Sequence, residues 1–75
     1  MDMYAEEKLM RTIYLARKRQ AEKLAMLEEK HGASMREFMD GYEEALDDIC
    51  RAFGLVYESV IDPQAWEDAG EEVPE

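Results

Sequence analysis

Between Ser34 and Ile61 the apolar residues Met35, Met39, Tyr42, Leu46, Ile49, Phe53, Val56 and Val60 recur in alternating steps of four and three. That is the seam of a helix packed lengthwise on another helix, and the spacing predicts a helix over 34–61. Upstream, residues 3–31 contain no Pro or Gly and many strong helix formers, among them Ala5, Lys8, Leu9, Leu15, Ala16, Ala21 and Leu24. Wrapped at about 100° per residue, Leu9, Ile13, Ala16, Gln20, Leu24, Leu27 and His31 fall on one stripe. Met3, Met10, Tyr14, Ala21 and Ala25 widen it to nearly half the circumference, and a face that wide needs more than one neighbour.

His31-Gly32-Ala33-Ser34 separates the two periodic stretches. Gly32 can adopt the left-handed conformation that closes a helix, and Ser34 with Glu37 has the spacing of a capping box. A connection so short forces the helices antiparallel. Pivoting near residue 33 sets His31 against Met35, Leu27 against Met39, Leu24 against Tyr42, Gln20 against Leu46, Ile13 against Phe53 and Met10 against Val56, so the seams match. In the same register Arg19 faces Asp47 and Lys23 faces Glu43, as cross-hairpin ion pairs. Arg17 falls opposite Ile49 and Gln20 opposite Leu46, two polar interruptions of the kind that can fix register.

Gly54 allows two readings. Ala52-Phe53-Gly54-Leu55 has the composition of a helix end followed by an extended piece, Leu55 to Val60. The seam, however, continues in step through Val56 and Val60, and an internal glycine costs only about 1 kcal/mol; the expectation is one helix bent at Gly54. Asp62 suits an N-cap and Pro63 the first helical position, predicting a short helix over 63–69 that ends at Gly70. Residues 71–75 are acidic and contain a proline, the composition of a disordered tail. The expected fold is all-α: residues 1–70 form a single antiparallel helical hairpin with a short C-terminal helical turn, dimerising into a four-helix bundle.

Composition sharpens this picture. A 75-residue chain buries a thin core unless a partner or oligomerisation adds to it. No apolar run is long enough to span a bilayer, and the N-terminus lacks the basic-then-apolar pattern of a secretion signal. Together with the single cysteine, Cys50, this predicts a soluble cytoplasmic protein without a disulfide framework. The net charge of −10 is uneven: six acids stand against eight bases up to Arg36, then thirteen acids against Arg51 alone. Nucleic acid is not an expected ligand of so acidic a surface, nor is a membrane; a protein partner, including a basic one, is.

Candidate chemistry is sparse. The chain has no phosphate-binding glycine loop, no CxxC pair and no nucleophile–base set, so no catalytic residue, no cofactor and no enzymatic activity are expected. Glu28 and His31 stand one helical turn apart, the i, i+3 spacing of carboxylate-bridged metal bundles. They are a weak candidate pair, because His31 beside Gly32 also suits a helix C-terminus. Arg17-Lys18-Arg19 with Lys23 is a basic cluster that opposing acids could neutralise.

Two surfaces remain as recognition candidates. Glu37, Asp40, Glu43, Glu44, Asp47, Asp48 and Glu58 form an acidic face on the second helix, either solvated or shaped for a basic site. Met3, Tyr4, Met10, Tyr14, Met26 and Trp66, with the small flank Gly41, Ala45 and Ala52, form an apolar surface for self-association or for another protein's helix. The expected function is therefore a protein-interaction module acting as adaptor, assembly factor or inhibitor, with an acidic neutraliser of a basic site and a metal-binding bundle as alternatives. The segment Leu27-Glu28-Glu29-Lys30-His31-Gly32-Ala33-Ser34-Met35-Arg36-Glu37-Phe38 resembles the helix-turn-helix start of some short bacterial antitoxins. It covers under a fifth of the chain, capping chemistry alone produces it, and no function is carried over from it.

Overall fold

The computed structural model describes residues 2–75, and every described element is helical: α1 (Met3–His31), α2 (Arg36–Ala52), α3 (Tyr57–Val60) and α4 (Pro63–Asp68). α1 starts where Asp2 accepts a hydrogen bond from the Ala5 N–H at 2.7 Å, an N-cap that satisfies one of the free donors of the first turn. It ends at Gly32, whose φ is +68° and whose N–H donates to the Glu28 carbonyl. With about 1.5 Å of rise per residue, α1 accounts for the 43 Å long axis of the molecule.

α2 returns along α1, but the turn is built differently from the expected capping box. The N-cap is Met35, which offers no side-chain acceptor. Ser34 Oγ accepts only a long bond from the Arg36 N–H at 3.3 Å, while the Glu28 carboxylate accepts the Met35 N–H at 2.7 Å. That bond holds Met35 level with Glu28 rather than His31, and α2 is displaced by one to two turns toward the N-terminus of α1. Ile13 consequently shares a core cluster with Leu46 and Cys50 instead of facing Phe53. Arg17, not Lys23, pairs with Glu43 at 2.7 Å, and Asp47 pairs with Arg51 of its own helix at 3.1 Å, not with Arg19.

The larger departure is at Gly54. The expected helix over 34–61 stops at Ala52, and Gly54 takes φ +73°. The Leu55 N–H then donates to the Cys50 carbonyl at 2.8 Å and the Gly54 N–H to the Arg51 carbonyl at 3.2 Å. This is the pair of bonds that closes a helix through a left-handed glycine, with the following apolar residue folded back; Leu55 packs against the core that contains Cys50. Val56 is extended (φ −98°, ψ 110°), as the alternative reading had it, but residues 57–60 are helical rather than extended. Phe53 and Val56, placed in the seam by periodicity, are 53% and 60% exposed.

Chain reversal at Gly54 brings α3 back onto α1 and α2. Tyr57 and Val60 complete the cluster of Ile13, Leu46 and Cys50, with Leu9, Met10, Tyr42, Leu55 and Ile61 at its edge. α4 begins as expected, with Asp62 accepting from the Gln64 N–H at 3.0 Å and Pro63 in the first position. It ends at Asp68, and Gly70 takes φ +76°. Its Trp66 is 3% exposed and donates from Nε1 to the Val60 carbonyl at 2.7 Å. The indole meets Tyr14 edge-on at 6.0 Å, and the Arg11 guanidinium lies 5.6 Å from its centre. The tail, read as disordered from composition, is irregular, with Val73 half-buried and Pro74 buried. Among the described residues no helix is long and apolar enough to cross a membrane.

Candidate functional site

The structure divides the expected apolar surface in two and removes part of it. Trp66 is core, and Met10 and Tyr14 are half-buried beside it. Met3 and Tyr4 remain outside, 89% and 76% exposed, along a groove floored by Met10, Trp66 and Ala69 and edged by Glu6, Glu7 and Glu71. Met26 is 70% exposed on α1.

The more continuous surface lies on α2. At about 100° per residue, Leu46 and Cys50 point into the core, and a second apolar strip runs beside them through Phe38, Gly41, Ala45, Ile49, Ala52 and Phe53. All six are exposed, with Phe38 at 68%, Ile49 at 42% and Phe53 at 53%. Val56 continues the strip past the end of the helix. The single seam expected over 34–61 thus merged two: α2 carries two apolar stripes, and the chain covers only one. Phe38, Ile49, Phe53 and Val56 are the surface residues that sequence reasoning missed. Phe53 was assigned to the seam, and the signal that could have found it was Gly54, which ends the helix one residue later.

The acidic face is also sorted by the fold. Glu37, Asp40, Glu44, Asp48 and Glu58 are exposed, and none has a salt bridge among the described residues. Glu43 differs from them. One carboxylate oxygen, Oε1, accepts from Arg17 Nε at 2.7 Å and from the Tyr57 hydroxyl at 3.0 Å, linking α1, α2 and α3. Its bond to Arg17 is the main reason its carboxyl is held below the usual carboxylate range. Burial, followed by the bond to Glu43, pushes the Tyr57 phenol up, and burial with the nearby Asp47 and Glu58 charges pushes the Cys50 thiol up. A thiol of that kind is a poor nucleophile at neutral pH.

The remaining candidates have local structural tasks. Glu28 caps the Met35 N–H, and His31 is an exposed last-turn residue of α1. Among the described residues no three His, Cys, Asp or Glu side chains converge as a metal site would require. Of the basic cluster, Arg17 is committed to Glu43, while Lys18, Arg19 and Lys23 face solvent. The arrangement offers chemistry of contact: an uncovered apolar strip on α2 flanked on its outer side by Glu37, Glu44 and Asp48. Compared with models of protein families, with curated proteins and with solved structures, the chain matches none.

Proposed function

We propose that this protein is a non-enzymatic interaction module, an adaptor, assembly factor or inhibitor that works by lending the outer strip of α2 to another polypeptide helix. Pairing of two hairpins into a four-helix bundle is the simplest form of that association. The supporting observation is the strip itself, where Phe38, Ile49 and Phe53 stand exposed on a helix whose other apolar stripe is already packed. Soluble chains leave a continuous apolar face of this kind uncovered mainly where something binds it. The test is affinity capture from the native host with wild-type protein and with Phe38→Glu/Phe53→Glu. The wild type retains partners that the variant loses by tenfold or more; an identical retained set contradicts the proposal.

A second reading is favoured by the unpaired exposed acids Glu37, Asp40, Glu44 and Asp48: they would occupy a basic site on a target and neutralise it. That binding would weaken steeply with salt. Asp40→Lys/Glu44→Lys/Asp48→Lys would abolish it, and unchanged affinity in this variant rules the reading out.

A further inference from the structure

Gly41 lies inside α2, where glycine is a poorer helix residue than alanine. Within the chain nothing requires it: a Cβ placed there meets no atom within 4 Å. Its place along the strip is informative. Centred on Ala45, Gly41 and Ile49 lie four residues to either side, and Phe38 and Ala52 lie seven to either side. Small and large residues are therefore exchanged by reflection of sequence position about Ala45, which is what a two-fold axis does to an antiparallel helix pair. We infer that the occupant of the strip is a second copy of this chain, with the two α2 helices antiparallel across a two-fold axis at Ala45, Phe38 over the partner copy's Ala52 and Ile49 over the partner copy's Gly41. This rests on the interaction reading above and specifies its partner, symmetry and register.

Area is consistent with that occupant, and charge sets its salt dependence. At about 200 Å² per aromatic side chain, the exposed parts of Phe38 and Phe53 alone contribute on the order of 240 Å². With Ile49, Val56 and the open Gly41-Ala45-Ala52 flank from each copy, the pair buries on the order of 1,000 Å², where specific interfaces begin. Ala45 meets its own copy at the axis, where the backbones can approach closely, and on either side each large residue lies against a small one. Each copy carries a net charge of −10, so the association is opposed by repulsion and tightens as salt screens it. A basic target on the acidic face gives the opposite trend.

The experiment is sedimentation equilibrium across the micromolar range on wild type, Gly41→Leu, Ile49→Ala and Gly41→Leu/Ile49→Ala. Wild type is a dimer whose dissociation constant falls several-fold from 50 to about 500 mM salt. Gly41→Leu fills the space intended for Ile49 and weakens the dimer tenfold or more; since its side chain projects into open space, helicity is retained by circular dichroism. The double variant, which again sets a large residue against a small one, recovers to within about threefold of wild type. A monomeric wild type, a dimer indifferent to Gly41→Leu, or failure of the double variant to recover overturns the inference. The broader interaction reading falls separately, when Phe38→Glu/Phe53→Glu leaves captured partners unchanged.

Discussion

At the scale of single residues, the fold depends on side chains that join elements rather than line a seam. Glu43 ties α1, α2 and α3 together through one oxygen, and hydrogen bonds to a charged partner carry more than neutral ones. Glu43→Gln is expected to cost about 1–2 kcal/mol in urea unfolding, whereas Lys23→Ala, at an exposed position, changes stability by less than about 0.5 kcal/mol. Because the folded carboxyl is lowered from 4.5, its contribution is present above that pH and lost as pH falls through the folded value. The wild type's advantage over Glu43→Gln therefore shrinks below about pH 4.5. For Tyr57 the sign is reversed: its phenol is raised above 10.0, so its share of stability is intact below that pH and declines as pH rises further. Tyr57→Phe should lack that decline; an equal decline in both proteins contradicts the assignment. The Asp62-Pro63 cap was legible from two adjacent residue types. Trp66 was not, because its partners, the Val60 carbonyl and Tyr14, become neighbours only after the chain has reversed.

Among the elements, α1 was legible in its extent, from twenty-nine residues free of Pro and Gly and the left-handed glycine that closes them, while its Asp2 cap went unread. α2 was legible as far as Ala52 and misread beyond it. Val56 and Val60 kept the period of the seam although they no longer belonged to the helix, and periodicity cannot register a reversal that preserves phase. Local chemistry at Gly54 decided the matter, since two backbone bonds and the folded-back Leu55 outweigh continuation through a glycine. Gly54 and Gly41 should then respond oppositely to alanine. Gly54→Ala forces φ +73° on a residue with a Cβ and is expected to destabilise by about 1–2 kcal/mol. Gly41→Ala, helical and open, should stabilise the monomer by up to about 1 kcal/mol. If Gly54→Ala were instead stabilising, the helix would run on and the C-terminal half of the fold would be wrong. The register was misread for a similar reason: spacing offers Glu28 only as a weak metal-ligand candidate, yet it anchors Met35.

For the whole molecule, shape and surface both exceed what a compact chain of this size shows. The accessible surface is 5614 Å² for 8.8 kDa, against roughly 4,800 Å² expected of a folded monomer. The radius of gyration is 13.6 Å against about 11 Å. The core is small: Ile13, Leu46, Cys50, Tyr57 and Val60 in one cluster, with Leu24 and Trp66 buried outside it. Composition had indicated a thin core and a need for partners, and charge had indicated an acidic second half. Which apolar groups would be left over was not legible, because that depends on which stripe of α2 the chain itself covers. If the uncovered stripe is where two copies meet, thermal stability should rise with protein concentration, and Phe38→Glu/Phe53→Glu should remove that dependence while leaving the fold intact.

The most direct measurement is an isotope-filtered NOE experiment on a mixture of labelled and unlabelled chains. Phe38 and Ala52 are separated by about 21 Å along one helix, so no contact between them can arise within a chain. Cross-peaks from the Phe38 ring of one copy to the Ala52 methyl of another are the predicted result. A mixture that shows dimer by sedimentation yet places Phe38 against any other surface, or in solvent, contradicts it.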